Sequence, residues 1–281
     1  MKLSFFLAII LLLGSGLGFF SYKYWSFGPG VIILFISGIL LALVYIFNKD
    51  INIWHHRKNK IGLDQKEKDF INNHFPLIHC VPQDSRDLFY KKISLFKVDK
   101  EFIDQGMDGV PYQAILLSGA YAAFFCLSKE NYSVPFPKIP VYVFYNHAFP
   151  SPQFPKSLHI SETHKEDGTL IFSIPHLLKG SYEPLKFFNS GLYESAKSAI
   201  KPDFYENNLP SAGKLCLLGG YTLQDLEKYM GIPKEYIDQR ALAITLFYTR
   251  NQHFKKMFPV AFENLKAQMI YPASEEAFVV N

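Results

Sequence analysis

Two apolar runs near the N-terminus constrain this chain more than anything after them. Residues 3–20 and 31–47 are almost unbroken successions of apolar side chains and glycine. As α-helices they reach roughly 27 and 26 Å at 1.5 Å per residue, close to the hydrocarbon thickness of a bilayer. The connector, SYKYWSFGPG over residues 21–30, holds Pro29 and two glycines and is expected to turn. Tyr22, Tyr24 and Trp25 suit a membrane–water boundary. The pattern predicts a two-helix transmembrane hairpin over residues 1–48, with spans at 3–20 and 31–47. Gly14 and Gly18, and likewise Gly38 and Ala42, stand four apart. They are either packing seams between helices or the ordinary composition of a glycine-rich apolar segment.

Flanking charge sets the orientation. Lys2 precedes the first run, Lys49, Arg57, Lys58 and Lys60 follow the second, and only Lys23 lies between. The positive-inside rule then puts both ends in the cytoplasm. The expectation is the inner (cytoplasmic) membrane of a bacterium, with the large domain facing the cytoplasm. The alternative is a first run that acts as a cleaved signal peptide, but no A-x-A-like cleavage site follows it. Even then the second run would be a stop-transfer segment. Residues 49–63 read as a basic juxtamembrane linker, with His55 and His56 solvated or near headgroups.

With 281 residues, 49% of them hydrophobic, the chain suffices for one substantial domain beside the anchor. A net charge of +4 without a basic–aromatic module gives no reason to expect a nucleic-acid partner. Cys80, Cys126 and Cys216 are odd in number and far apart, which fits buried free thiols in a reducing compartment.

The remainder reads as mostly helical with a small sheet, an α+β domain. Residues 64–74 predict a helix that stops at Pro76. A second begins near Asp84 or Ser85 and turns Leu88, Phe89, Ile93 and Phe96 inward. Residues 111–127 are a buried core helix. Residues 139–145 are a strand, with Pro140 marking an edge or a strand start. Residues 159–163 and 169–174 form a hairpin over Asp167-Gly168. After residues 187–201, expected to be the central helix, comes a Pro/Gly-rich connection over 201–220. Helices over 222–230 (capped by Thr222), 233–250 and 254–269 (interrupted near Pro259) follow, then a tail at 273–281. The edge strand of the sheet is expected beside the central helix.

That central stretch, FFNSGLYESAKSAIK, carries the chemistry. Leu192, Ala196 and Ala199 give it an apolar face, while Tyr193, Glu194 and Lys197 stand three and four apart and can face one cavity. A metallopeptidase would have H-E-x-x-H at this spacing, two imidazoles on zinc and a glutamate to take the proton from bound water. Here the glutamate is present and both histidines are missing. The competing reading is a plain amphipathic surface helix with one Glu194–Lys197 salt bridge.

The order of these blocks resembles the zinc metallopeptidases related to Mlc titration factor A. The likeness covers most of residues 75–272. It rests on the Ala-rich helix before IPVYVFYNHAF, on G-T-L-I-F-S-I-P at 168–175, on F-N-S-G-L-Y-E-S-A-K at 188–197, and on ALAITLFYTRNQHFKKMFP at 241–259. The resemblance implies a zincin-like domain over residues 64–272. It also implies that Tyr193 and Lys197 stand where the two zinc histidines belong, that Thr245 stands where the third ligand, a glutamate, belongs, and that only Glu194 keeps its family identity, at the general-base position. A lysine carries a positive charge and no free lone pair, threonine is a poor zinc ligand, and tyrosine ligates only as phenolate. No cofactor is expected, although the parent family uses zinc.

Other candidates are weaker. His147, His159, His164, His176 and His253 lie in the domain without i,i+4 helical spacing. His159 and His164 are expected to be an exposed pair, and His176, just after Pro175, to lie near the central helix. Ser198 and Lys201 fit S-x-x-K, but no S-D-N or K-T-G follows. There is no G-x-S-x-G or phosphate-binding loop. Asn131-Tyr-Ser133 fits a glycosylation pattern that has no meaning in a cytoplasmic domain. The reading is a membrane-anchored, catalytically inactive metallopeptidase homologue that binds the lipid bilayer and a protein partner. The alternatives are an active zinc-dependent peptidase with an atypical metal site, and a structural subunit of a membrane complex.

Overall fold

The computed structural model describes residues 3–25, 28–127, 133–200 and 209–269. It divides into two compact units, Met1–Ile61 and Gly62–Asn281.

The first unit is α1 (Leu3–Trp25), α2 (Pro29–Ile46) and α3 (Asn48–Asn59). Both α1 and α2 are long and apolar enough to cross a membrane. Residues 21–25, expected in the turn, continue α1 instead. The expected linker is also helical: Phe47 donates its N–H to Leu43 O at 2.9 Å and accepts from Ile51 at 2.9 Å, so backbone bonding passes from α2 into α3. The close approach of α1 and α2 is at Gly18 and Gly30. A Cβ on Gly18 would sit 2.8 Å from the Gly30 carbonyl oxygen, and one on Gly30 would sit 2.7 Å from that of Gly18. Gly14 and Gly38 meet nothing within 4 Å, so they form no seam inside the hairpin. Polar groups stitch α1 to both: Ser15 Oγ donates to Ser37 Oγ of α2 at 2.9 Å, and Asn52 Nδ2 of α3 donates to Ser4 Oγ at 2.7 Å. His56, expected solvated or near headgroups, is buried within this unit.

In the second unit Asp64 caps α4 (Gln65–His74) through a capping box with Glu67. Pro76 ends that helix by opening a 3₁₀ turn, Pro76–Cys80. Next come α5 (Gln83–Asp99), β1 (Glu101–Gln105), α6 (Tyr112–Phe125), β2 (Val141–Tyr145), β3 (Phe149–Pro150), β4 (Leu158–His159), β5 (Ser161–His164) and β6 (Thr169–Ser173). Phe89, Ile93 and Phe96 of α5 are fully buried against α6, whose Gly119 leaves room for the Phe96 ring. The main sheet has the order β1-β2-β6-β5. β1, β2 and β6 are parallel and β5 is antiparallel. Residues 139–145 were expected as an edge or a strand start. They start a strand just after Pro140, but the strand is internal, because β1, which the sequence reading leaves out, covers its other side. The edge beside the central helix is β5. Its turn to β6 uses Gly168 at φ 62°.

The remaining helices are α7 (Ile174–Tyr182), α8 (Ser190–Ala199), α9 (Ala212–Gly219), α10 (Leu223–Met230), α11 (Gln239–Thr249), α12 (Asn251–Met257) and α13 (Pro259–Gln268). The expected connection over 201–220 therefore contains a helix. The stretch expected as a helix over 233–250 begins as a 3₁₀ turn, Lys234–Tyr236, and restarts at Asp238, whose carboxylate accepts from the N–H groups of Arg240 and Ala241. Cys80 and Cys216 are buried and Cys126 half-buried, all as free thiols. Lys201 of the S-x-x-K match, most of the 131–133 pattern and the tail at 273–281 lie outside the described residues.

Candidate functional site

The central helix is α8, shorter than expected because Asn189 caps it, accepting from Leu192 N–H at 2.9 Å. Gly191 lets it pack closely, since a Cβ there would strike the Tyr121 ring and Leu177. Residues Ser190 to Ala196 are all buried, which excludes the surface-helix reading.

Glu194 points at the edge strand. Its carboxylate accepts from Ser161 Oγ at 3.0 Å and Thr163 Oγ1 at 2.5 Å. Both hydroxyls lie on one face of β5, because strand side chains alternate. Lys197 Nζ stands 3.8 Å from Oε2, the oxygen that also accepts from Thr163. A buried carboxylate is tolerated only when its oxygens are bonded and its charge is met, and both conditions hold here. The sequence reading missed Ser161 and Thr163. The available signal was a pair of small hydroxyl residues two apart on an edge strand.

Tyr193 is fully buried and turns away from the carboxylate. Its phenolic oxygen accepts the Asp238 N–H at 2.8 Å, which fixes the start of α11. Burial holds the phenol well above its usual pKa, and the neighbouring Glu194 charge adds to the effect. Lys197 opens onto a cavity of about 370 Å³ lined also by Leu209, Glu235, Tyr236, Asp238 and Arg240. Thr245, on α11, is buried beside a separate small cavity with Phe188 and Tyr221, and its hydroxyl donates to Ala241 O of its own helix at 2.7 Å.

This donor set does not fit zinc. A cation, a phenol held in its neutral form and a hydroxyl bonded to its own backbone offer no ligands at the three positions.

One histidine expectation changes. His159 is fully buried, not exposed, stacked on Phe154 with ring centroids 5.5 Å apart. Neither of its ring nitrogens has a hydrogen-bond partner among the described residues. Its Nδ1 is 3.7 Å from Glu162, which also meets His164 Nε2 at 3.3 Å and accepts from Ser151 Oγ at 3.1 Å. Burial lowers the His159 pKa against the raising effect of Glu162 and Glu194. His176 pairs with Ser173 Oγ at 2.8 Å and sits edge-on to Tyr229. It lines a cavity with Ile160, Asp225 and Lys228, which none of Tyr193, Glu194, Lys197 or Thr245 lines.

No protein-family model, curated protein or solved structure matches this chain.

Proposed function

We propose that the chain is a membrane-anchored, catalytically inactive relative of the zinc metallopeptidases related to Mlc titration factor A, and that it works by binding a protein at the cavity beside Lys197. One arrangement supports this reading above the others. A buried helix presents a carboxylate to the edge strand of a mixed sheet, and a lysine ammonium stands beside it. In a zincin-like scaffold that is where the glutamate base and a zinc ligand belong. Here the lysine supplies the positive charge that a divalent ion would supply, but it cannot activate water as a Lewis acid does. What survives is an open cavity with Lys197 and Arg240 among Glu235 and Asp238, a surface suited to a polar peptide segment. The hairpin belongs in the inner membrane, with this domain in the cytoplasm.

The test uses the full-length chain in mild detergent. It is expected to cleave no casein. Lys197→Glu combined with Arg240→Glu is expected to release the protein that co-purifies with the parent chain. Casein cleavage abolished by a chelator would overturn the reading.

A further inference from the structure

The first unit carries a surface that the hairpin itself does not need. Residues 29–59 run through α2 and α3, which meet at Phe47, a turn residue at φ −94° and ψ 17° whose N–H and C=O are both still bonded. At 1.5 Å per residue they span roughly 46 Å, against about 30 Å of hydrocarbon. About ten residues therefore lie outside the apolar layer. Ser4 fixes which end they occupy: its N–H donates to Asn52 Oδ1 at 3.2 Å and its hydroxyl to Asn48 Oδ1 at 2.5 Å. The first turn of α1 is thus level with the first turns of α3, and the rest of α3 projects past it.

The projecting part is basic on one side. Lys49, Arg57, Lys58 and Lys60 are all exposed, with Asp50 the one acidic residue in the segment. At 100° per residue Lys49, Arg57 and Lys58 fall within one half of the helix, together with Trp54 and Asp50, and Lys60 follows as its C-cap. The buried Asn52 and His56 occupy the other half. Trp54 is 57% exposed, and Lys58 Nζ lies 4.9 Å from the centre of its ring. An indole at the depth of the headgroups, flanked by cations that overhang the span, is the chemistry that meets a negatively charged bilayer surface.

We propose that α3 binds the headgroups of anionic phospholipids and enriches them around the anchor. The proposal rests on the membrane reading of α1 and α2, and its test separates the two.

Trp25 and Trp54 are the only tryptophans, so Trp25→Phe leaves Trp54 as the sole reporter. The full chain carrying that change is reconstituted into vesicles with equal mole fractions of phosphatidylglycerol and phosphatidylcholine. Bromine is placed on the acyl chains of one lipid at a time. Random mixing would quench Trp54 equally in both cases. The expected result is about twofold stronger quenching by the brominated anionic lipid, a bias that shrinks in high salt. Arg57→Gln, Lys58→Gln and Lys60→Gln together are expected to remove the bias without releasing the chain from the vesicles. Equal quenching in the parent, or an unchanged bias in the triple variant, overturns the proposal while leaving the membrane anchor standing. A chain that fails to float with the vesicles overturns both.

Discussion

Lys197 holds its ammonium 3.8 Å from the Glu194 carboxylate, three residues earlier on the same helix, yet the two side chains differ sharply in burial: Glu194 is 1% exposed and Lys197 25%. The carboxylate depends on the lysine more than the lysine depends on it. Lys197→Met leaves Glu194 with its two hydroxyl donors but without a counter-charge. The expected loss is about 1–2 kcal/mol, between the values for exposed pairs and for fully buried ones. The tyrosine near-UV circular dichroism of the full chain in detergent reports it, since both tryptophans lie in the hairpin unit.

The two hydroxyls on β5 account for the rest of the carboxylate's stabilisation. Thr163→Val keeps the shape and removes one donor to a charged acceptor, and is expected to cost about 1.5–3 kcal/mol. Combined with Lys197→Met the losses should not add, because both changes act on the same buried charge. A double-mutant cycle on thermal unfolding measures the coupling.

The imidazoles of His159, buried, and His176, half-buried, make stability depend on pH. His159 and His176 are both held below the ordinary histidine value, chiefly by burial. Between their folded pKa values and about 6.5, the unfolded chain binds more protons than the native one. Stability is therefore complete above that window and falls as pH drops through it, from about 6.5 downward. Glu162, Glu194 and His164 all act on His159, and Lys179 acts on His176. His159→Phe removes the unbonded ring nitrogens beside Phe149 and Phe154, and is expected to flatten the loss below about pH 6.5. An unchanged slope in that variant would contradict the assignment.

The hairpin should respond to Gly18 and Gly30 and ignore Gly38. Cysteines replacing Ser15 and Ser37, whose hydroxyls are 2.9 Å apart, are expected to cross-link readily under oxidation. Gly30→Val drives a Cβ against the Gly18 carbonyl and should suppress the cross-link, whereas Gly38→Val meets open space and should not.

Much of this fold was legible because its punctuation is local. Asp64 and Thr222 form capping boxes, Asp167-Gly168 supplies the turn to β6, and Pro259 restarts the last helix at its first position. β1 was not legible. EFIDQ has no clean alternation, and it is a strand because its backbone pairs with β2. The helix over residues 212–219 hid behind flanking prolines and glycines. In the site, the i,i+3 relation of Glu194 and Lys197 followed from helix geometry. The partners of Glu194 and Tyr193 did not, because Ser161, Thr163 and Asp238 are more than thirty residues away and are brought close by β5 and α11. The same long-range packing buries His159, which five-residue spacing from His164 had suggested was at the surface.

The proposal is that Lys197 and Tyr193 stand where a zincin-like scaffold carries two of its metal ligands. It is tested most directly by restoring them: Tyr193→His, Lys197→His and Thr245→Glu in one full-length chain, purified in detergent with zinc supplied and weighed for metal by mass spectrometry. About one zinc per chain is expected in the restored variant, given the metal's four-coordinate preference with water as the last ligand, and none retained by the parent. A restored chain that holds no more zinc than the parent, or a parent that already holds one, would contradict it.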